Sequence, residues 1–305
     1  MNSPANEPAG YDPAGPTVAW ASFYDEARGR FAAKGFASAH VDARRIVEEA
    51  SGFEGAEFHL GLNEPATKRG VARFDAMMQR RLDGEPLQYV VGNWGFRTLD
   101  LMVDQRVLIP RPETEIVAGV AMAELERLAR PGGQLVAVDL GTGSGAIGLS
   151  VAAERPDTVV TITDLSVEAL QVARANLAGI GRAATRVTVA QGSWFDALPT
   201  ELAGSVDLVV SNPPYVAPAD ALPSEVADWE PTEALIAGNE GRADLLHLIE
   251  GAGAWLVEGG ALVLEMAPHQ TAWAAGVAAD SGFVEVAVVP DLAGRDRAMR
   301  ARWPG

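Results

Sequence analysis

Asn212-Pro213-Pro214-Tyr215 brings together groups that can hold a planar –NH2. Asparagine offers a carbonyl acceptor and an amide donor pair. A residue preceding proline is pushed towards extended geometry, and two prolines in a row stiffen the chain further. A fixed carboxamide, a backbone carbonyl and a tyrosine ring therefore sit side by side. Two acceptors so placed can take both N–H bonds of an amide or an aromatic amine. The apolar run Val206–Ser211 just before them reads as a buried strand, which puts the tetrapeptide at that strand's C-terminal end.

A second cluster lies upstream. Val138-Asp139-Leu140-Gly141-Thr142-Gly143-Ser144-Gly145 closes an apolar run and leads into a helical pattern. Glycines there permit a tight turn and close approach of a ligand to the backbone. Gly143-x-Gly145-x-x-Gly148 also matches the dinucleotide fingerprint, but it falls inside the helix and the chain has 32 glycines, so the match is weak. Asp-x-Gly-x-Gly-x-Gly, with Asp139 ending the strand, is the better frame. Asp164 ends the next strand, where an acidic side chain can accept from a ribose diol. Gly192-Ser193-Trp194-Phe195 ends a third, where an aromatic can cover an adenine or simply pack in the core. Turn and acid together indicate an adenine nucleoside cofactor. NAD would place its pyrophosphate on the helix N-terminus; S-adenosylmethionine would lay its amino-acid end over the turn. Asn-Pro-Pro-Tyr on the fourth strand favours the second, because a dehydrogenase has no use for it there.

The elements that position these residues follow from periodicity. Residues 1–16 carry four prolines without a repeat and read as a disordered tail. From 17 to 86 the apolar residues recur at helical spacing, as in Phe23, Ala27, Phe31 and Val71, Phe74, Met78, Leu82, which predicts a small helical bundle. Residues 87–109 read as a β-hairpin linker, with short strands at Tyr89-Val90-Val91, Phe96–Leu99 and Leu101–Val103. Pro112 followed by Glu113 and Glu115 predicts a helix start. Beyond Gly133, strands and helices alternate. Strands are expected at 135–140, 159–165, 186–190, 206–211, 261–266 and 283–289, and helices near 146–154, 167–178, 241–256 and 270–279. Such alternation specifies a parallel, doubly wound sheet with its ligand edge at the strand C-termini.

Composition narrows the function. The chain has no cysteine, which excludes disulfides and thiolate metal sites, and its four histidines lack metal-ligand spacing. No secretory leader pattern or membrane-length apolar run is visible, so a cytoplasmic location is expected. Net charge is −17, unevenly divided: residues 1–86 carry 10 Lys+Arg against 13 Asp+Glu, and residues 87–305 carry 14 against 28. A surface with that balance repels nucleic acid and would attract a basic protein partner, although charge alone favours the plainer reading of a solvated acidic surface that aids solubility.

Gly-x-Gly-x-Gly followed by Asn-Pro-Pro-Tyr resembles the signature of S-adenosylmethionine-dependent methyltransferases acting on a planar nitrogen, in a base or a glutamine amide. Arg81-Leu82-Asp83-Gly84-Glu85-Pro86-Leu87-Gln88-Tyr89, Leu108-Ile109-Pro110-Arg111-Pro112-Glu113-Thr114-Glu115, Glu230-Pro231 before Ala234-Leu235, and Asp291-Leu292-Ala293-Gly294-Arg295-Asp296-Arg297 extend the likeness. Over roughly residues 18–305 the chain resembles the release-factor glutamine methyltransferases. That resemblance implies a class I S-adenosylmethionine-dependent methyltransferase domain (Rossmann-like, doubly wound) over 110–305 and a substrate-docking helical domain over 17–86. It implies N5-methylation of the glutamine in the Gly-Gly-Gln motif of peptide chain release factors, in support of translation termination. Gly141, Thr142, Gly143, Ser144, Gly145, Asp164, Trp194 and Asn212 would contact the cofactor. Asn212, Pro213, Pro214 and Tyr215 would hold the substrate amide, with Asn212, Pro213 and Tyr215 catalytic, and no metal would be needed. A ribosomal-protein glutamine is an alternative substrate, and a nucleic-acid amino group a more distant one. Two departures stand out: Ser193 occupies a position often acidic in relatives, and Glu265-Met266-Ala267 replaces Glu-x-Gly, which leaves that loop's backbone open.

Overall fold

The computed structural model describes residues 17–305, so the expected tail at 1–16 lies outside the described residues. The chain divides between Val91 and Gly92 into two units, each with its own apolar core.

In the first unit, helices α1 (Trp20–Lys34), α2 (Ala39–Ser51), α3 (Glu57–Gly61), α4 (Lys68–Leu82) and α5 (Leu87–Val91) enclose Phe31, Ile46, Phe58, Phe74 and Met78. The boundaries have chemical causes. Gly35 and Gly52 end α1 and α2 with left-handed φ of 90° and 80°. The Thr67 side chain caps α4 by accepting from the Gly70 N–H at 3.1 Å. Arg81 on α4 is buried against Asp42 (2.8 Å) and lies over the Phe36 ring.

Residues 87–91 are helical, not the strand expected from Tyr89-Val90-Val91. Four of the five side chains are buried, and a short apolar run of this kind fits a buried helix as well as a buried strand. The helix end is also capped from outside. Arg80 donates to the Tyr89 and Val90 carbonyls at 2.9 and 3.1 Å while pairing with Glu85. The hairpin itself is shorter than the expected 87–109 segment. It pairs β1 (Asn93–Phe96) with β2 (Leu99–Met102), and the expected strand at 96–99 is interrupted by a turn in which Arg97 adopts φ 52°.

Helix α6 (Pro112–Leu128) then opens with proline in its first turn and Glu113 and Glu115 beside it, complementing the helix dipole. The sheet follows as β3 (Leu135–Leu140), β4 (Thr158–Asp164), β5 (Val187–Gln191), β6 (Val206–Ser211), β7 (Leu256–Glu265), β8 (Val284–Pro290) and β9 (Asp296–Arg302). Helices α7 (Ala146–Glu154) and α8 (Val167–Gly179) connect its first strands. Two short turns, α9 (Ser224–Ala227) and α10 (Gly238–Gly241), precede α11 (Ala243–Ala252), and α12 (Thr271–Asp280) leads to β8. Strand order is β5-β4-β3-β6-β7-β9-β8, so the order reverses at the β3/β6 seam. A crevice outside the strand ends at such a seam is where open α/β sheets bind ligands.

Two strands depart from the expected pattern. β7 begins at Leu256, five residues early, because a register shift opposite Val206–Leu208 admits Gly259 at φ 77°. β9 pairs antiparallel with both neighbours, so the sheet is not purely parallel. Its sequence Asp-Arg-Ala-Met-Arg-Ala-Arg hides it from an apolar-run reading. Ala298, Met299 and Ala301 are buried, while Arg302 donates to both oxygens of the nearly buried Glu124 at 2.9 and 3.0 Å.

Candidate active site

The turn after β3 is built around a buried carboxylate. Asp139 is 1% exposed, and its Oδ2 accepts from the Thr142 hydroxyl at 2.6 Å and the Gly148 N–H at 2.9 Å. Burial pushes it up to about 6 against the pull of those two bonds. The aspartate thus ties the turn to the first turn of α7. Gly148 must be glycine for this to work: a Cβ would lie 2.4 Å from Ile162 and 3.0 Å from Asp139. Gly148 therefore serves helix–sheet packing within α7. Gly141, Gly143 and Gly145 adopt φ of 69°, 57° and 88°, which L side chains rarely do.

Asp164 closes the turn from the β4 side. Its Oδ2 accepts from the Gly143 N–H and its Oδ1 from the Ser166 N–H, both at 2.9 Å. Burial, the largest influence, raises its affinity for a proton. Each carboxylate oxygen keeps a further lone pair for a ligand hydroxyl. Trp194 and Phe195, for which the sequence allows either site or core, separate. Trp194 lies at φ 45° with its ring over Gly141, where a Cβ would be 3.0 Å from it, and its indole favours the charged form of the Asp244 carboxyl, which burial opposes. Phe195 is buried and stacks on Trp255 with ring centroids 6.0 Å apart.

Asn212 to Tyr215 leave the end of β6. Ser211 donates to the Leu140 carbonyl at 2.6 Å, locking this strand end to the glycine turn's strand. The Asn212 side-chain NH2 points to Thr114 Oγ1 at 3.4 Å, and the Tyr215 hydroxyl donates to Glu265 Oε1 at 3.3 Å. Beyond them the backbone is pinned. Val216 bonds Leu235 and Ala237, and the fully buried Gln270 donates to the Tyr215 carbonyl at 2.9 Å. Burial, chiefly, raises the Tyr215 hydroxyl well above its ordinary value, so it stays protonated.

One cavity of about 600 Å³ joins these pieces. Gly141, Thr142, Gly143, Ser144, Asp164, Ser193, Trp194, Asn212 and Pro214 all line it. Gly145, Pro213 and Tyr215 do not: Gly145 caps α7, Pro213 is buried, and Tyr215 turns to Glu265. Leu108, Pro110 and Thr114 form one wall, and Pro231, Glu233 and Ala234 another. An ion pair between Arg111 and the buried Glu230 clasps the two, with Glu230 also accepting from the Ile109 N–H at 3.2 Å. Sequence reasoning misses Thr114, Asp244 and Glu265 as site residues. Thr114 and Glu265 do fall in segments that the sequence singles out, Leu108–Glu115 and Glu265-Met266-Ala267, whereas Asp244 leaves no signal there. Ala267, at φ −70° and ψ 149°, sits in ordinary extended backbone, so the loss of glycine there distorts nothing. Among the described residues no group of three or more His, Cys, Asp or Glu could hold a metal ion, and no helix is long and apolar enough to cross a membrane.

Comparison with known proteins gives consistent matches. Residues 23–92 match a family model described as the PrmC N-terminal domain, and residues 122–228 one described as the methyltransferase small domain. A release factor glutamine methyltransferase from Cereibacter sphaeroides is 39% identical over 90% of this chain and 95% of its own. Proteins of the same description from Neisseria gonorrhoeae (38%, 86% and 93% covered) and Xylella fastidiosa 9a5c (40%, 87% and 94% covered) are similar throughout. Among solved structures, a methyltransferase from Pyrococcus furiosus aligns over 68% of this chain and 90% of its own, at 20% identity and a TM-score of 0.48.

Proposed function

The chain belongs to the release factor glutamine methyltransferase family, and from that premise we propose that it methylates the side-chain amide nitrogen (N5) of the glutamine in the Gly-Gly-Gln motif of release factors. The observation that supports this most is that Asn212 lines the same cavity as the glycine turn and Asp164. An amide acceptor and a nucleoside cradle are thereby brought to one space.

The methyl donor is S-adenosyl-L-methionine, as the methyltransferase family implies. The cavity's volume lies within the usual 300–1,000 Å³ of cofactor sites. Its residues suit that group: bare backbone at Gly141 and Gly143, a carboxylate with free lone pairs at Asp164, and an aromatic face at Trp194. Those residues, with Thr142 and Ser144, would hold it, and Gly145 would serve by shaping the turn. When bound, it supplies an electrophilic methyl on a sulfonium.

The protein's own work falls on the amide. An amide nitrogen is a poor nucleophile because its lone pair is delocalised into the carbonyl. The Asn212 side-chain oxygen and the Pro213 backbone carbonyl accept its two N–H bonds, which raises electron density on nitrogen and fixes its direction. As the S–CH3 bond breaks and the N–CH3 bond forms, the same acceptors stabilise the positive charge growing on nitrogen, which is electrostatic preorganisation, and one N–H proton then leaves to water. Pro214 and Tyr215 keep the loop in place, Tyr215 as a neutral hydroxyl anchored on Glu265. The helical unit over 17–86 docks the release factor. With 14 Lys+Arg against 28 Asp+Glu, residues 87–305 repel nucleic acid and favour a protein substrate. Labelled methyl donor offered with purified release factor, with a ribosomal protein and with DNA tests the whole assignment. Label in the release factor at the Gly-Gly-Gln glutamine is expected; label in DNA alone would overturn it.

A further inference from the structure

The Asn212 carboxamide has two ends, and only its oxygen can accept an N–H. Something must keep that end turned to the substrate. Thr114, in the first turn of α6 and 3% exposed, stands behind it. Its Oγ1 is 3.4 Å from the Asn212 NH2, and its hydroxyl lies beside the carboxyl of Glu265, whose buried Oε2 has no hydrogen-bond partner and whose charge that hydroxyl favours. Glu265 ends β7 and is 1% exposed; the register pairs the preceding Leu264 with Ser211, so Glu265 comes level with Asn212 across the sheet edge. Its Oε1 accepts a hydrogen bond from the Tyr215 hydroxyl at 3.3 Å.

The chemistry of these groups leaves one consistent arrangement. An ionised carboxylate only accepts. Thr114 has a single proton, and giving it to Glu265 leaves only lone pairs towards Asn212. A lone pair facing the carboxamide selects its NH2 and turns its oxygen away from Thr114. We propose that Thr114 and Glu265 are positioning residues that set which end of the Asn212 carboxamide faces the acceptor amide. This rests on the reading of Asn212 as the acceptor for the glutamine N–H.

The lock depends on the charge of Glu265. Burial pushes this carboxyl up to about 7, opposed by the Thr114 hydroxyl, the Arg297 charge on β9 and the Tyr215 hydroxyl, with Glu113 on α6 adding to the rise. Once protonated, Glu265 can donate to Thr114, whose own proton is then free to point at Asn212 and draw its oxygen inward. Turnover should therefore rise with pH through this range, and Glu265→Gln should be slower and lose that rise.

The test uses the full-length protein with Thr114→Val, Thr114→Ser and Glu265→Gln. For each, kcat and KM on release factor, the S-adenosyl-L-methionine Kd by calorimetry, and the Asn212 side-chain NH2 signal in 15N-asparagine-labelled protein are measured. That signal is assigned by its loss in Asn212→Asp. Thr114→Val should lower kcat by about tenfold or more with cofactor Kd within about twofold, and Thr114→Ser should recover most of the loss. The NH2 signal should move in Thr114→Val and return in Thr114→Ser. An unmoved signal, parental kcat in a folded Thr114→Val, or a kcat loss matched by an equal loss of cofactor affinity would each overturn the proposal. The NH2 signal needs no turnover, so it reads the lock even where the parent fails to methylate release factor. In that case the assignment of substrate falls, and the lock stands or falls separately.

Discussion

If Asn212 is, as proposed, one of two acceptors for the substrate amide, truncating it removes that acceptor while leaving the glycine turn intact. Asn212→Ala should therefore lower kcat by about 10²-fold or more, the usual cost of one preorganised transition-state contact. Its cofactor Kd should stay within about threefold of the parent, and a calorimetric titration beside single-turnover kinetics separates the two. Glu265 makes a different statement, about stability. Its folded value of about 7 lies above the ordinary 4.5. The folded state thus binds the proton more tightly than the unfolded one. That contribution is complete below about 4.5 and is lost as pH rises through 7. The thermal midpoint of the parent should fall more between pH 5 and pH 8 than that of Glu265→Gln; parallel curves would contradict the buried, proton-sharing carboxyl. Asn212 and Asp164, singled out from short motifs, do line one cavity, and Trp194, left open in the sequence between site and core, lines it too. The part of Thr114 and Glu265 is not legible there, because it depends on which side chains meet across 98 and 50 positions of chain.

Where local pattern and burial agree, the elements can be read from the sequence. Val206–Ser211 is a fully buried strand, and Ala146–Glu154 runs between the bounds its sequence pattern sets. Two segments mislead for opposite reasons. Leu87–Val91 is apolar enough for a strand, yet Arg80 reaches over to cap its carbonyls and keeps it helical. Asp296–Arg302 is too charged to look like a sheet interior, but arginines that pair with Glu124 and Glu285 let its small residues lie inside. The loop after β6 depends on such remote support as well. Gly241 sits at φ 78°, and a Cβ there would come 2.2 Å from the Tyr215 carbonyl. Gly241→Ala should destabilise the protein by about 1–3 kcal/mol through backbone strain and crowding. It should also slow turnover by displacing Tyr215; denaturant melts and kinetics that both match the parent would show that the loop does not need this close approach.

Across the molecule, the chain forms two units with separate cores, and the proposed function gives docking to the first and chemistry to the second. Removing residues 1–91 should leave cofactor affinity close to that of the full chain, because every residue lining the cavity lies beyond it. Methylation of intact release factor by the shortened chain should collapse, chiefly in kcat/KM; unchanged kinetics would deny the helical unit a docking role. The fold and the methyl-transfer chemistry are legible from the order of motifs along the chain. The choice of a protein glutamine over a base rests on flanking segments and on the −17 net charge, which no single site residue carries. That choice is open to one direct measurement. Purified protein, labelled S-adenosyl-L-methionine and release factor are combined, and the modified residue is located by mass spectrometry. Label on the Gly-Gly-Gln glutamine, abolished when that glutamine is changed to alanine in the substrate, is the predicted result; label that persists in the alanine substrate would contradict it.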